Sequence, residues 1–335
     1  MKKLLVLLLA SLVSHLQSQT MHVVDTFHIK SDGGWDYIVA NHDMNRLYVS
    51  HSRQVNVLNE TTGDSIGVIP NTTGVHGIAC INSLGKGYTS NGKINTVTVF
   101  DLNTNAVLKQ IAVGENPDAI MFDSYSNRII TCNGRSQDLS IIDPTKDTVV
   151  ATIKLSGGPE TAVSDSAGKI FVNNEDKSII EVVDIMQLKV VDKWKLGKGE
   201  GPSGLSIDRK KGRLFSGCEN KLMIVLDSKT GKVISEVPIG DGCDGTAFDP
   251  ANGNAYSSNG EGTITVVHEN ASGKYEATAT IPTKKGARTI SVDPVTHKIY
   301  LPTADLGETP AATSDNPHPR PKKIPGTFCV IVVGE

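Results

Sequence analysis

Seven residues recur at intervals of 40–44 positions and carry most of the chemistry in the chain: Asp36, His76, Asp118, Glu160, Ser203, Asp244 and Arg288. Four carboxylates, an imidazole and a guanidinium at equivalent places are not what apolar packing selects. Brought together, Asp36, His76, Asp118, Glu160 and Asp244 are candidate ligands for a divalent cation. An oxygen-rich set with one imidazole favours calcium, magnesium or manganese over zinc or copper. The same groups could also serve as acid and base on a small polar substrate. The plainer alternative is that each caps a strand end through hydrogen bonds to its neighbours. Trp35 stands where other units have Pro117, Pro159 or Pro202. It is either a stacking platform for a ligand or a wedge between units.

The elements that must position these residues are short strands. Residues 201–240 hold four β-patterned runs, 203–207, 213–216, 221–226 and 232–239, separated by turn-rich segments. Four strands repeated at this period are the signature of a β-propeller. The chain is therefore expected to be all-β, a seven-bladed propeller with four antiparallel strands per blade. The last unit offers only three strands, 288–292, 298–301 and 328–333. The spare run at 22–29 supplies the fourth, closing the ring and hiding two sheet edges. Each innermost strand of such a ring starts at one mouth of the central channel, so the recurring column becomes a ring of side chains there. Loops between second and third strands reach the same mouth. Three of them carry Asn-Gly, at 91, 133 and 259, which reads as a tight turn needing positive φ.

The seventh unit breaks the pattern. Between Leu301 and Phe328 lies a proline-dense insertion, residues 302–327, far longer than its counterparts. Long insertions in compact domains are usually functional or disordered. Proline favours an extended form able to lie across the mouth, and His318, Arg320, Lys322 and Lys323 give it basic character opposite the acidic ring. The expectation is a lid.

The runs RLYVS (46–50), NRIIT (127–131), KIFVN (169–173) and KIYLP (298–302) resemble the "YVTN" strand of the YVTN-repeat (YncE-like) β-propeller family of exported proteins. VFDLNT (99–104) and IDPT (142–145) resemble that family's third strand and turn. The resemblance spans essentially everything after residue 20 and implies the propeller fold. The insertion is similar to one in a subgroup of exported bacterial members.

Residues 1–20 read as a secretory signal peptide: two lysines, an apolar run too short to span a bilayer, then a polar stretch. The product is expected to be periplasmic or secreted, without a membrane span, a single propeller domain over 21–335 and a monomer. A formal charge of −3 without a basic block argues against nucleic-acid binding. No haem, phosphate-loop, zinc-protease or nucleophile-elbow motif is present, so no cofactor is identified beyond the divalent cation. Among the five cysteines, Cys218 and Cys243 approach the same face and are a candidate disulfide, with two free thiols as the alternative, while Cys80 and Cys329 read as apolar packing.

The leading expectation is an exported propeller that binds a small polar ligand, a cation or a protein segment at the channel mouth. One alternative is a lactonase-like propeller hydrolase using the same residues, with or without a divalent metal. Another is a docking module for a redox or surface partner.

Overall fold

The computed structural model describes residues 21–31, 33–311, 313, 319 and 321–335. The expected signal peptide and part of the insertion, His318 and Arg320 included, lie outside the described residues. The described chain forms seven four-stranded antiparallel sheets set around a channel. Six are built from consecutive strands. The seventh joins Ser291–Val292, Ile299–Thr303 and Cys329–Gly334 with the N-terminal strand His22–His28 as its outer member. His22 pairs with Gly334 and His28 with Cys329, so both ends of the chain lock into one blade, as the strand count requires.

Strand composition follows position in the blade. Third strands such as Leu222–Asp227 and Ile179–Asp184 are buried over their central four residues, because neighbouring blades cover both faces. Their sequences are accordingly continuous apolar runs. Outer strands such as Lys189–Lys195 show one face to solvent and keep their charges there. The core is divided among the blade interfaces. Phe27, Leu47, Val49, Leu58, Tyr300, Val330 and Val332 fill the one between the last blade and the first.

Blades approach most closely at their innermost strands, where glycine becomes necessary. A methyl on Gly204 would stand 2.5 Å from the Thr246 backbone nitrogen in the next blade, and one on Gly77 would stand 2.9 Å from Ile120.

Two expectations are corrected here. The Asn-Gly pairs are not positive-φ turns: Asn91 has φ −124°, and neither Asn133 nor Asn259 is left-handed. Their side chains are fully buried clamps instead. Asn91 Nδ2 donates to Thr98 at 2.9 Å, Asn133 Nδ2 to Ser140 at 2.9 Å and Asn259 Nδ2 to Thr265 at 3.1 Å, each fixing a third strand. The following glycine N–H donates to the residue just ahead of its own blade's innermost strand, as Gly134 does to the Asn116 carbonyl at 2.9 Å. Of the two alternatives for Cys218 and Cys243, the disulfide is not made and the free thiols hold. Both are buried free thiols, and each faces a backbone carbonyl of its own blade, Ser216 or Gly245. Among the described residues no helix is long and apolar enough to cross a membrane.

Candidate functional site

The recurring column does form one ring at a single mouth, and a backbone irregularity explains why. In each of the first six blades the pairing of innermost and second strands breaks just after the first residue. The breaks fall between Trp35 and Ile38, Val75 and Ile78, Pro117 and Ile120, Pro159 and Ala162, Pro202 and Leu205, and Cys243 and Gly245. Asp36, His76, Asp118, Glu160, Ser203 and Asp244 each sit inside such a bulge. Bulged residues leave the ladder and re-aim their side chains. Arg288 precedes the short inner strand Ser291–Val292 of the last blade and completes the ring.

Six of the seven are linked in a continuous arc. Ser203 Oγ donates to Asp244 Oδ1 at 2.7 Å. Arg288 Nε lies 2.7 Å from Asp244 Oδ2, and its Nη2 lies 3.6 Å from Asp36 Oδ1. His76 Nδ1 sits 2.6 Å from Asp36 Oδ2 and 3.4 Å from Asp118 Oδ2. Ligand atoms of Asp36, His76 and Asp118 fall within 4.8 Å of one another, close enough to hold a metal ion. The arc stops at Asp118, whose Oδ1 is buried and accepts no hydrogen bond. Glu160, the next member, joins no hydrogen bond or ion pair among the described residues.

The electrostatics record that gap. Burial, then the charges of Asp36 and Asp244, push the Asp118 carboxyl up to about 7. Burial, then the charges of Asp118 and Asp244, push Glu160 further, to about 10. For His76, burial alone would lower the pKa, but the Asp36 hydrogen bond and the fields of Asp118 and Asp36 outweigh it and raise it. Near neutral pH the Asp118–Glu160 side of the mouth therefore holds protons where a cation would otherwise sit.

Below the mouth the channel is a cavity of about 180 Å³, with walls that include Ile38, Ile78, Ile120 and Leu205. Tyr37 crosses it, its hydroxyl 3.4 Å from Thr161 Oγ1 in the fourth blade. Burial, then the charges of Asp118 and Glu160, push its phenol well above the ordinary value. Tyr37 was missed in the sequence reading, although a signal exists. Its equivalents, one after each mouth residue, are Gly77, Ala119, Thr161, Gly204, Gly245 and Thr289, all small, leaving room for one large ring.

Trp35 is a wedge. It stacks on Phe328 at 5.8 Å between ring centroids, its Nε1 donates to the Gly286 carbonyl at 3.2 Å, and Lys323 Nζ sits 5.0 Å above it. The described ends of the insertion pair with one another: Gly307 N–H donates to the Lys322 carbonyl and Ile324 N–H to that of Asp305, both at 2.8 Å. The Lys284–Asp305 ion pair at 2.5 Å ties this base to the neighbouring turn. Lys323 thus brings the root of the insertion onto the ring's edge, one residue from Asp36.

No protein-family model matches the chain, and no curated protein matches it. Among solved structures it is similar to a chain of the Kuenenia stuttgartiensis hydrazine synthase, at 17% identity and a TM-score of 0.73, over 82% of this chain and 94% of that one. At that identity the likeness bears on the fold alone, and it agrees with the blade count: the protein is a seven-bladed β-propeller.

Proposed function

We propose that this is an exported propeller of the YVTN-repeat kind that binds a small cationic ligand at the acidic mouth of its channel, beneath a proline-rich lid. The observation that carries the reading is the break in the arc, where Asp118 Oδ1 and Glu160 face the mouth without a cationic partner. Arg288 and His76 offset Asp36 and Asp244 on the other side, so attraction for a positive charge is concentrated at this one place. Tyr37, which crosses the channel just below the ring, gives such a ligand an aromatic surface beneath the acidic mouth. Export is supported by the lysine-apolar-polar order of residues 1–20. Family membership is supported by the strand motifs quoted above.

The experiment is thermal melting of the metal-free protein with calcium, magnesium, manganese and a primary alkylammonium ion added in turn. A ligand at a hundred times its dissociation constant should add about 2.7 kcal/mol of stability. Asp118→Asn combined with Glu160→Gln should abolish the gain. If no probe raises the melting temperature at millimolar concentration, or the double variant responds like the parent, the proposal fails.

A second reading is favoured by one contact, His76 held between Asp36 and Asp118. A carboxylate-oriented imidazole is the arrangement of a general base, as a lactonase-like hydrolase would need. Hydrolysis of ester or lactone probes that disappears in His76→Ala would support it over simple binding.

A further inference from the structure

On the face opposite the mouth, between the first and last blades, we infer a second and independent site: His42, Glu60 and Asp293 form a binding site for a first-row divalent transition ion. Their ligand atoms lie within 4.8 Å of one another, so movements of well under an ångström would bring all three to bonding distance, about 2.1 Å, from one ion. His42 Nδ1 already stands 3.0 Å from Asp293 Oδ2, a separation that suits two adjacent ligands on such an ion.

Glu60 is the decisive residue. It is 3% exposed, and neither carboxylate oxygen makes a hydrogen bond of ordinary geometry, the Tyr300 hydroxyl and the Asp293 carboxyl interacting with it only loosely. The repeat holds Ser228 and Glu269 at the same position in the fifth and sixth blades, neither of them buried, so burial is what sets Glu60 apart. Glu60 N–H donates to the Asn45 carbonyl, just as Leu102 N–H does to Gly85 and Ile185 N–H to Gly168. The equivalent position in the second and fourth blades holds Leu102 and Ile185, both buried in apolar clusters. The first blade places a carboxylate in that apolar slot and aims it at a histidine and a second carboxylate.

Asp293 is held rigidly by the Val295 N–H at 2.9 Å and by the Thr296 hydroxyl, which leaves it well oriented as a ligand. An adjoining cavity of about 220 Å³, lined by Asn45, Thr61, Thr296, Lys298 and Tyr300, gives an ion access and room for water on its open positions. One imidazole with two carboxylates suits manganese, cobalt or zinc better than an all-oxygen calcium cage. Bound there, the ion would pin the first blade to the last beside the junction that closes the ring.

The test is titration of the purified protein with Co²⁺, read by its visible absorption and by calorimetry. Parallel titrations use Glu60→Gln, His42→Ala and the mouth variant Asp118→Asn plus Glu160→Gln. The expected result is a Co²⁺ band that Glu60→Gln and His42→Ala each weaken by at least about tenfold in affinity, about 1.4 kcal/mol, while the mouth variant keeps it. Glu60→Gln should also melt at or above the parent temperature without metal, showing that the loss of binding is not loss of fold. Three results would overturn the inference: no Co²⁺ uptake by the parent at micromolar concentration, unchanged affinity in both site variants, or a band that disappears with the mouth variant. The first two leave open whether the mouth takes its own cation, and the third would assign the ion to the mouth.

Discussion

Asp36 and Asp118 occupy the same bulge in different blades, yet they differ in company. Asp36 meets His76 and Arg288, whereas Asp118 meets His76 on one oxygen and no donor on the other. Glu160 has still less, and the consequence is a pH dependence of definite sign. The folded pKa values of Asp118, Glu160 and His76 are all raised, so the folded state holds protons that the unfolded chain has released. Their stabilising contribution is complete below about pH 3.5, under the unfolded carboxyl values. It is lost as pH rises through about 7 for Asp118 and about 10 for Glu160. Melting temperature should therefore fall from mildly acidic to alkaline pH, most steeply without cations. Glu160→Gln should flatten that slope and raise stability at alkaline pH by about 1 kcal/mol or more, a few degrees for a chain of this size. A melting curve as steep in the variant as in the parent would remove Glu160 from the account.

At the scale of the element, the N-terminal strand and the insertion make opposite predictions. Phe27 is 5% exposed and packs over Gly63 within the cluster that joins the first and last blades. Phe27→Ala should cost about 3–5 kcal/mol. Deleting residues 21–30 should bare the edge of Cys329–Gly334 and cause aggregation. A truncated protein that stays monomeric with unchanged melting would refute ring closure by this strand. Replacing residues 305–325 by a short Gly/Ser linker should instead leave melting within a few degrees, since residues 307–311 and 313, among the described ones, are exposed. The two tryptophans make the effect visible. In a Trp194→Phe background, loss of Lys323 from above Trp35 should shift Trp35 emission to the red and speed ligand exchange. An unchanged spectrum would mean that the insertion does not cover Trp35 in solution, and unfolding would show it to be structural.

At the scale of the whole molecule, the repeat made much of this legible. A period set by four strands places every blade, and counting strands in the last unit identified His22–His28 as the closing element. The mouth column was legible for the same reason, because equivalent positions in a closed ring converge. What sequence could not give depended on contacts between blades. The bulges that aim the column arise from register breaks, which leave no mark in residue type. Asn91, Asn133 and Asn259 read as turn formers because their partners, Thr98, Ser140 and Thr265, lie on the next strand rather than in the turn. Trp35 remained ambiguous until Phe328 and Lys323, from the far end of the chain, were seen against it. Tyr37 was visible as the one large ring in an otherwise small column, but only once the repeats were aligned residue by residue, whereas Glu60 has polar counterparts such as Ser228 and Glu269 and is set apart only by its burial.

The central claim, that a cation completes the unfinished side of the mouth, is tested most directly by counting protons. Calorimetric titration of the responsive cation near neutral pH, in two buffers of different ionisation enthalpy, measures the protons released on binding. Because Asp118 and Glu160 hold protons there, the account predicts a net release that shrinks toward zero in Asp118→Asn plus Glu160→Gln, together with an affinity that rises with pH. Binding that releases no protons in the parent, or releases the same number in the double variant, would contradict it.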